Sequence, residues 1–125
     1  MIKGIHHIAM TCRDNSDYER VMSFYVDLLG LKVARTWDGG AMLDSGNSLI
    51  EIFVGADKLM DKGIIEHFAF LVDDIDGIIK SAEAAGYEVI HYPQEQTIEC
   101  EAPYDITWAF IRGPLGEEVE LFVER

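Results

Sequence analysis

The stretch IHHIAM at residues 5–10 returns as IEHFAF at residues 65–70, and both read I-x-H-x-A-x. A second echo follows: IEIFV at 50–54 returns as VELFV at 119–123, each with one glutamate inside an apolar run. Residues 5–12 alternate, which places Ile5, His7, Ala9 and Thr11 on one face of a strand. Ser16-Asp17-Tyr18-Glu19 has capping-box spacing, so a helix is expected to start there. Tyr18, Val21, Met22, Tyr25, Leu28 and Leu29 form its apolar stripe and Gly30 its stop. LKVARTW, AMLDS and SLIEIFVG then read as strands, with turns at Asp38-Gly39-Gly40 and Gly46-Asn47.

The second half repeats that order. IIEHFAFLV reads as a strand and Asp73 or Asp74 as a helix cap. Ile75, Ile78, Ile79, Ala82 and Ala85 make the helix's apolar face, and Gly86 ends it. YEVIHYP, ITWAFIR and EVELFVE supply three more strands, the last two joined by GPLGE; residues 93–104 carry the weakest pattern. The fold class is therefore α+β: tandem β-α-β-β-β modules, with mixed sheets curved around a common site. One domain, 1–125, is expected, with modules at about 1–58 and 62–125 joined by the charged segment DKLMDKG at 57–63.

A hydrophobic share of 49% suits a chain that buries a core. A formal charge of −13 argues against nucleic acid, which demands a basic surface. No apolar run approaches the roughly 20 residues that span a bilayer, and no signal peptide is recognisable, so a cytoplasmic protein without membrane partners is expected. Two cysteines, Cys12 and Cys100, are too few for a disulfide framework and read as small buried hydrophobes.

The chemistry lies in the two echoes. In each module a histidine falls on the first strand and a glutamate on the last: His7 and Glu51, then His67 and Glu120. A lone histidine on an apolar strand is ordinarily a hydrogen-bonded core residue, and a lone strand glutamate ordinarily reaches solvent. Ionisable groups at matched positions of a repeated module are another matter, because burying them without partners is costly. If first and last strands are neighbours, each module contributes one imidazole and one carboxylate. Two modules together offer two nitrogens and two oxygens, a first shell suited to Zn, Ni, Co, Mn or Fe(II) rather than Ca or Mg. Four such ligands on an octahedral ion leave two positions for water or substrate.

Other candidates rank lower. His6 has the opposite parity to His7 and should face a helix or solvent; His91 has no counterpart in the first module and reads as structural. Glu66 and Glu118 read as surface charges. Arg13, Arg35 and Arg112 could receive a substrate anion, although surface arginines are common. GPLGEE lacks the strand-to-helix context and the lysine of a phosphate loop.

This arrangement resembles the vicinal oxygen chelate superfamily, which includes glyoxalase I, the fosfomycin- and bleomycin-resistance proteins, methylmalonyl-CoA epimerase and the extradiol dioxygenases. HHIAMTCRD, FYVDLLGLKV, IEHFAFLVDDID and GPLGEEVELFV carry the resemblance, which covers essentially the whole chain. A His-Glu-His-Glu set is most similar to glyoxalase I. The resemblance implies that His7, Glu51, His67 and Glu120 bind a divalent transition metal, with Ni, Co or Zn favoured over Mn or Fe. It also implies that Glu120 or Glu51 acts as base in a lyase or isomerase reaction, where a proton beside a carbonyl is removed through an enediolate. The substrate would be a small carbonyl or thioester compound, and a homodimer would complete the metal sites. An epimerase of the methylmalonyl-CoA type is the alternative, although such enzymes typically carry glutamine where Glu51 stands. Further alternatives are a non-catalytic drug- or metabolite-binding protein and an Fe(II) dioxygenase. Bacterial glyoxalase I commonly has an arginine and an asparagine for the glutathione carrier where this chain has Thr11 and Gly55. Its usual DPDGN turn is here GPLGE. The resemblance therefore leaves the substrate open.

Overall fold

The structure, a computed structural model, describes residues 1, 3, 5–59, 63, 66–100 and 102–125. The chain divides into two compact units, Met1–Met60 and Asp61–Arg125. Each runs β-α-β-β-β.

In the first unit β1 (His7–Cys12) is followed by α1 (Asn15–Met22), β2 (Lys32–Trp37), β3 (Gly40–Asp44) and β4 (Leu49–Val54). The sheet order is β1-β4-β3-β2, with β1 parallel to β4 and the other pairs antiparallel. The helix begins earlier than the capping box suggested. Asp14 is the cap, its carboxylate accepting from the Asp17 backbone N–H at 2.9 Å. Beyond Met22 the helix widens into a π-helical stretch, Ser23–Leu28, with Leu29 N–H donating to the Phe24 carbonyl five residues back. That winding carries two adjacent aromatic side chains, Phe24 and Tyr25, into the core, both fully buried. Gly30, at φ 79°, then makes the left-handed stop that the sequence predicts.

The core of this unit lies on one face of its sheet. Cys12, Ala41, Leu43, Ile50 and Ile52 are buried there with Val21, Phe24 and Tyr25, and the Tyr25 hydroxyl meets Met10 Sδ at 3.9 Å. Burying each large aliphatic side chain contributes roughly 1.5–3 kcal/mol. The opposite face carries His7, Ala9 and Thr11, all exposed.

In the second unit β5 (Phe68–Leu71), α2 (Ile75–Ala84), β6 (Val89–Ile98), β7 (Tyr104–Arg112) and β8 (Glu118–Glu124) follow in order. The sheet reads β5-β8-β7-β6, again with its first and last strands parallel neighbours. Asp74 rather than Asp73 caps α2, accepting from Gly77 N–H at 2.9 Å. Ile75, Ile79 and Ala82 are buried, and α2 packs on β6, β7 and β8. The weak pattern at 93–104 resolves into a long hairpin, because β6 continues to Ile98 and β7 starts at Tyr104. Cys100, at the hairpin's tip, is exposed, not buried as the sequence suggested; Cys12 is buried as expected. The start of the predicted strand at 64–65 and much of the segment 57–63 lie outside the described residues. Among the described residues no helix is long and apolar enough to cross a membrane.

Candidate metal centre

The parallel pairing of first and last strands brings together the residues that the echoes singled out. In the first unit Ala9 pairs with Glu51, and His7, two residues earlier on the same face, turns its Nε2 toward Glu51 Oε1 at 3.5 Å. In the second unit Ala69 pairs with Glu120 in the same way, and His67 Nε2 lies 3.2 Å from Glu120 Oε2. His67 stands just ahead of β5 rather than within it. The glutamate side chains are largely covered, at 12% and 15% exposed, while the imidazoles are more open, at 40% and 34%. Each unit thus presents an accessible nitrogen beside a sheltered carboxylate.

The donor set fits a divalent transition metal. Two donors about 2.1 Å from one ion sit roughly 3.0–3.4 Å apart across octahedral or tetrahedral geometry, close to both separations. The other imidazole nitrogen has a polar neighbour in each unit. His7 Nδ1 lies 2.9 Å from His6 Nδ1, and His67 Nδ1 lies 3.7 Å from Glu66 Oε1. A hydrogen-bonded neighbour of this kind commonly fixes a ligating imidazole's tautomer and ring direction; the His6–His7 contact is within hydrogen-bond distance and the Glu66–His67 separation is longer. Among the described residues the acidic, histidine and cysteine side chains form no metal-holding group of three or more. The structure brings the four predicted ligands together as two pairs.

Several residues read otherwise in the sequence now have a place. His6 is exposed, as its parity allowed, and it also contacts His7. His91 is exposed rather than structural, and it pairs with Phe110, which pairs with Glu120. Its ring contacts Phe110 and Trp108 at centroid distances of 5.6 and 5.7 Å, and Phe110 contacts His67 at 5.0 Å. The Trp108 indole N–H donates to Gln96 Oε1 at 2.9 Å. An aromatic floor therefore runs from His67 across β7 to β6. Two bulges in β6, on either side of His91, hide this from any reading by simple alternation, although Trp108 and Phe110 alternate visibly on β7. In the first unit Trp37 and Phe53 play a comparable part, ring to ring at 5.9 Å. Gly40 makes that possible: a side chain there would meet the Trp37 ring and the Ile52 carbonyl at 2.6 Å.

Two of the three candidate arginines are occupied. Arg13 forks onto the carboxylate of Asp17, Nε to Oδ2 at 2.7 Å and Nη2 to Oδ1 at 2.9 Å, and Arg20 joins it there. Hydrogen bonds from Arg13 hold the Asp17 carboxyl well below the usual carboxylate range, and Asp17 in turn raises Arg13. Burial, and then Asp17, push the Cys12 thiol up, which leaves it an inert core residue. Arg112 bonds Glu88 Oε2 at 2.6 Å and the Gly116 carbonyl at 3.1 Å, bracing the GPLGE turn.

Residues 4–121 match the Glyoxalase/Bleomycin resistance protein/Dioxygenase superfamily, and the chain belongs to it. Members of that superfamily commonly bind divalent metals, act on small molecules and are often dimers. The chain is similar to the uncharacterized protein YwkD of Bacillus subtilis, 33% identical over 100 residues that span 70% of this chain and 76% of that protein. It is also similar to the uncharacterized protein YaeR of Escherichia coli, 28% identical over 134 aligned positions, 97% of this chain and 96% of that one. Its fold matches a lactoylglutathione lyase from Agrobacterium tumefaciens with a TM-score of 0.69 at 20% identity, covering 98% of this chain and 95% of that one.

Proposed function

We propose that the protein is a metal-dependent lyase or isomerase of the glyoxalase I type, with His7, Glu51, His67 and Glu120 as the metal ligands. The observation that carries the reading is the twofold recurrence of one local geometry: an open imidazole Nε2 at 3.5 or 3.2 Å from a sheltered glutamate. Nickel, cobalt or zinc suits that donor set best, and manganese or iron is the next choice. The bound ion supplies Lewis acidity toward two neighbouring oxygens of a substrate. The chain's own part is to orient and to move a proton. Glu51 or Glu120, each poised on a strand beside its histidine, takes the proton next to the carbonyl and returns it to the adjacent carbon. Phe110 and Phe53, on the faces that carry the pairs, help keep water from the reacting carbon. A homodimer is the proposed assembly, in the cytoplasm, and the substrate is a small carbonyl or thioester compound.

The test starts with metal. Chelator-stripped protein, reloaded with Ni, Co, Zn, Mn or Fe in turn, is expected to hold about one ion per chain by elemental analysis, and His67→Ala to hold none. Wild type that holds no ion under any loading would sink the catalytic reading in favour of a binding protein. Product assays with a hemithioacetal and with an acyl-CoA then separate the glyoxalase reading from an epimerase.

A further inference from the structure

We propose that Arg35 is the anion receptor on the face that carries His7 and Glu51, and that the substrate is a carbonyl compound with a carboxylate or comparable anion a short chain away from its chelating oxygens. This inference rests on the reading of His7 and Glu51 as metal ligands and names the substrate class for that site.

The charge pattern supplies the first argument. Of the chain's five arginines, Arg13 and Arg20 are tied to Asp17, Arg112 to Glu88, and Arg125 to Glu95 at 3.9 Å. Arg35 has no acidic partner among the described residues. In a chain where 23 acidic residues face 10 lysines and arginines, a guanidinium without a carboxylate is the exception. A net charge of −13 also repels an anionic ligand, so binding one requires local compensation.

The backbone supplies the second. Val33 pairs with Leu43, so regular pairing would set residue 35 opposite Ala41, which is fully buried on the helix-covered face. A bulge between Val33 and Arg35 shifts the register, and Arg35 pairs instead with Met42. Met42 pairs with Glu51, and Glu51 with Ala9. Arg35 therefore stands on the same face, in the same row, as the proposed ligand Glu51. Lys32 shares this face but has Asp44 opposite it.

Distance supplies the third. Two strand spacings put about 10 Å between the Cα atoms of Arg35 and Glu51. Met42 stands between them in the row, so a small molecule would lie over Met42, held by its oxygens at one end and its anion at the other. The planar fork of arginine suits a carboxylate held bidentately.

The experiment uses Co(II)-loaded full-length protein and two probes: acetohydroxamic acid, a neutral-tailed oxygen chelator, and succinic monohydroxamic acid, which adds a carboxylate. Calorimetry is expected to show the carboxylate probe binding wild type about tenfold more tightly. Arg35→Gln should erase that preference while leaving acetohydroxamate affinity and cobalt content unchanged, and Arg35→Lys should keep part of it. Equal binding of the two probes to wild type, or an unchanged ratio in Arg35→Gln, overturns the assignment.

A second arm needs no metal. The Arg35 side-chain Nε–H signal of stripped protein is followed by NMR against succinate and against neutral succinamide. A shift specific to succinate supports Arg35 even if cobalt does not bind, in which case only the metal reading fails. No difference between the two overturns Arg35 while leaving the metal reading intact.

Discussion

The two units repeat one plan and differ in what surrounds the shared pair. In each, parallel pairing of the first and last strands sets a histidine Nε2 beside a glutamate, at 3.5 Å in the first and 3.2 Å in the second. Behind the histidine, the first unit has a second imidazole, His6, and the second has a carboxylate, Glu66. Around the pair, the second unit packs Phe110, His91 and Trp108 in direct succession, whereas the first sets Trp37 and Phe53 further along the sheet and places Arg35 in the glutamate's row. The repeated part matches what a metal needs, and the divergent part is where a substrate would be told apart from others.

The largest effect would break the symmetry itself. If one ion uses both pairs, His7→Ala and His67→Ala should each lower cobalt affinity by more than about 100-fold, beyond the loss that follows from disturbing a ligand's support alone. Competition against a chelator of known affinity checks this. Full affinity in His7→Ala, with loss only in His67→Ala, would mean that the second pair holds metal alone.

The carboxylates offer the next comparison. Glu51→Gln and Glu120→Gln each keep an oxygen donor but remove a base. The residue that moves the proton should lose about 10²–10⁴-fold in turnover, read as exchange of the substrate's proton with deuterated solvent. The other should lose chiefly metal affinity. Equal losses in both would mean that neither glutamate alone is the base.

Smaller effects are expected from the residues behind the histidines. If Glu66 closes its 3.7 Å separation from His67 Nδ1 when metal binds, Glu66→Gln should change cobalt affinity little and Glu66→Ala should cost roughly tenfold. His6→Ala should cost a similar factor through His7. A cobalt absorption spectrum that is unchanged in His6→Ala would show that His6 does not orient the ligand.

What could be read from the sequence follows the same division. The repeat, the five-element order of each unit and the two histidine–glutamate pairs were legible because strand parity and a recurring I-x-H-x-A-x are local signals. The faces of His91 and Arg35 were not, because they depend on bulges in β6 and β2 that shift register without marking the sequence. His6 faces solvent, as its parity allowed, but its contact with His7 left no mark in the sequence. The helix start was placed two residues late because Ser16 and Glu19 mimic a capping box, while Asp14 holds the cap.

That last difference leads to the mildest prediction, which contrasts the two helices. In α1, Asp17 is 1% exposed and sits between Arg13 and Arg20, whereas α2 has only the ordinary cap of Asp74. Asp74→Ala should cost about 1 kcal/mol, as for any cap. Its removal involves no buried ion pair. Asp17→Asn should instead show a marked pH dependence. The folded-state pKa of Asp17 is lowered, so its contribution is fully present above the unfolded value near 4 and fades as pH falls through the lower folded value. Wild type should therefore melt several degrees above Asp17→Asn at pH 7, and the gap should narrow as the pH falls below about 4. Thermal melts of both proteins at pH 7 and pH 3 decide it: a constant gap would mean that the clamp acts through packing and hydrogen bonding, with the charge of Asp17 playing no part.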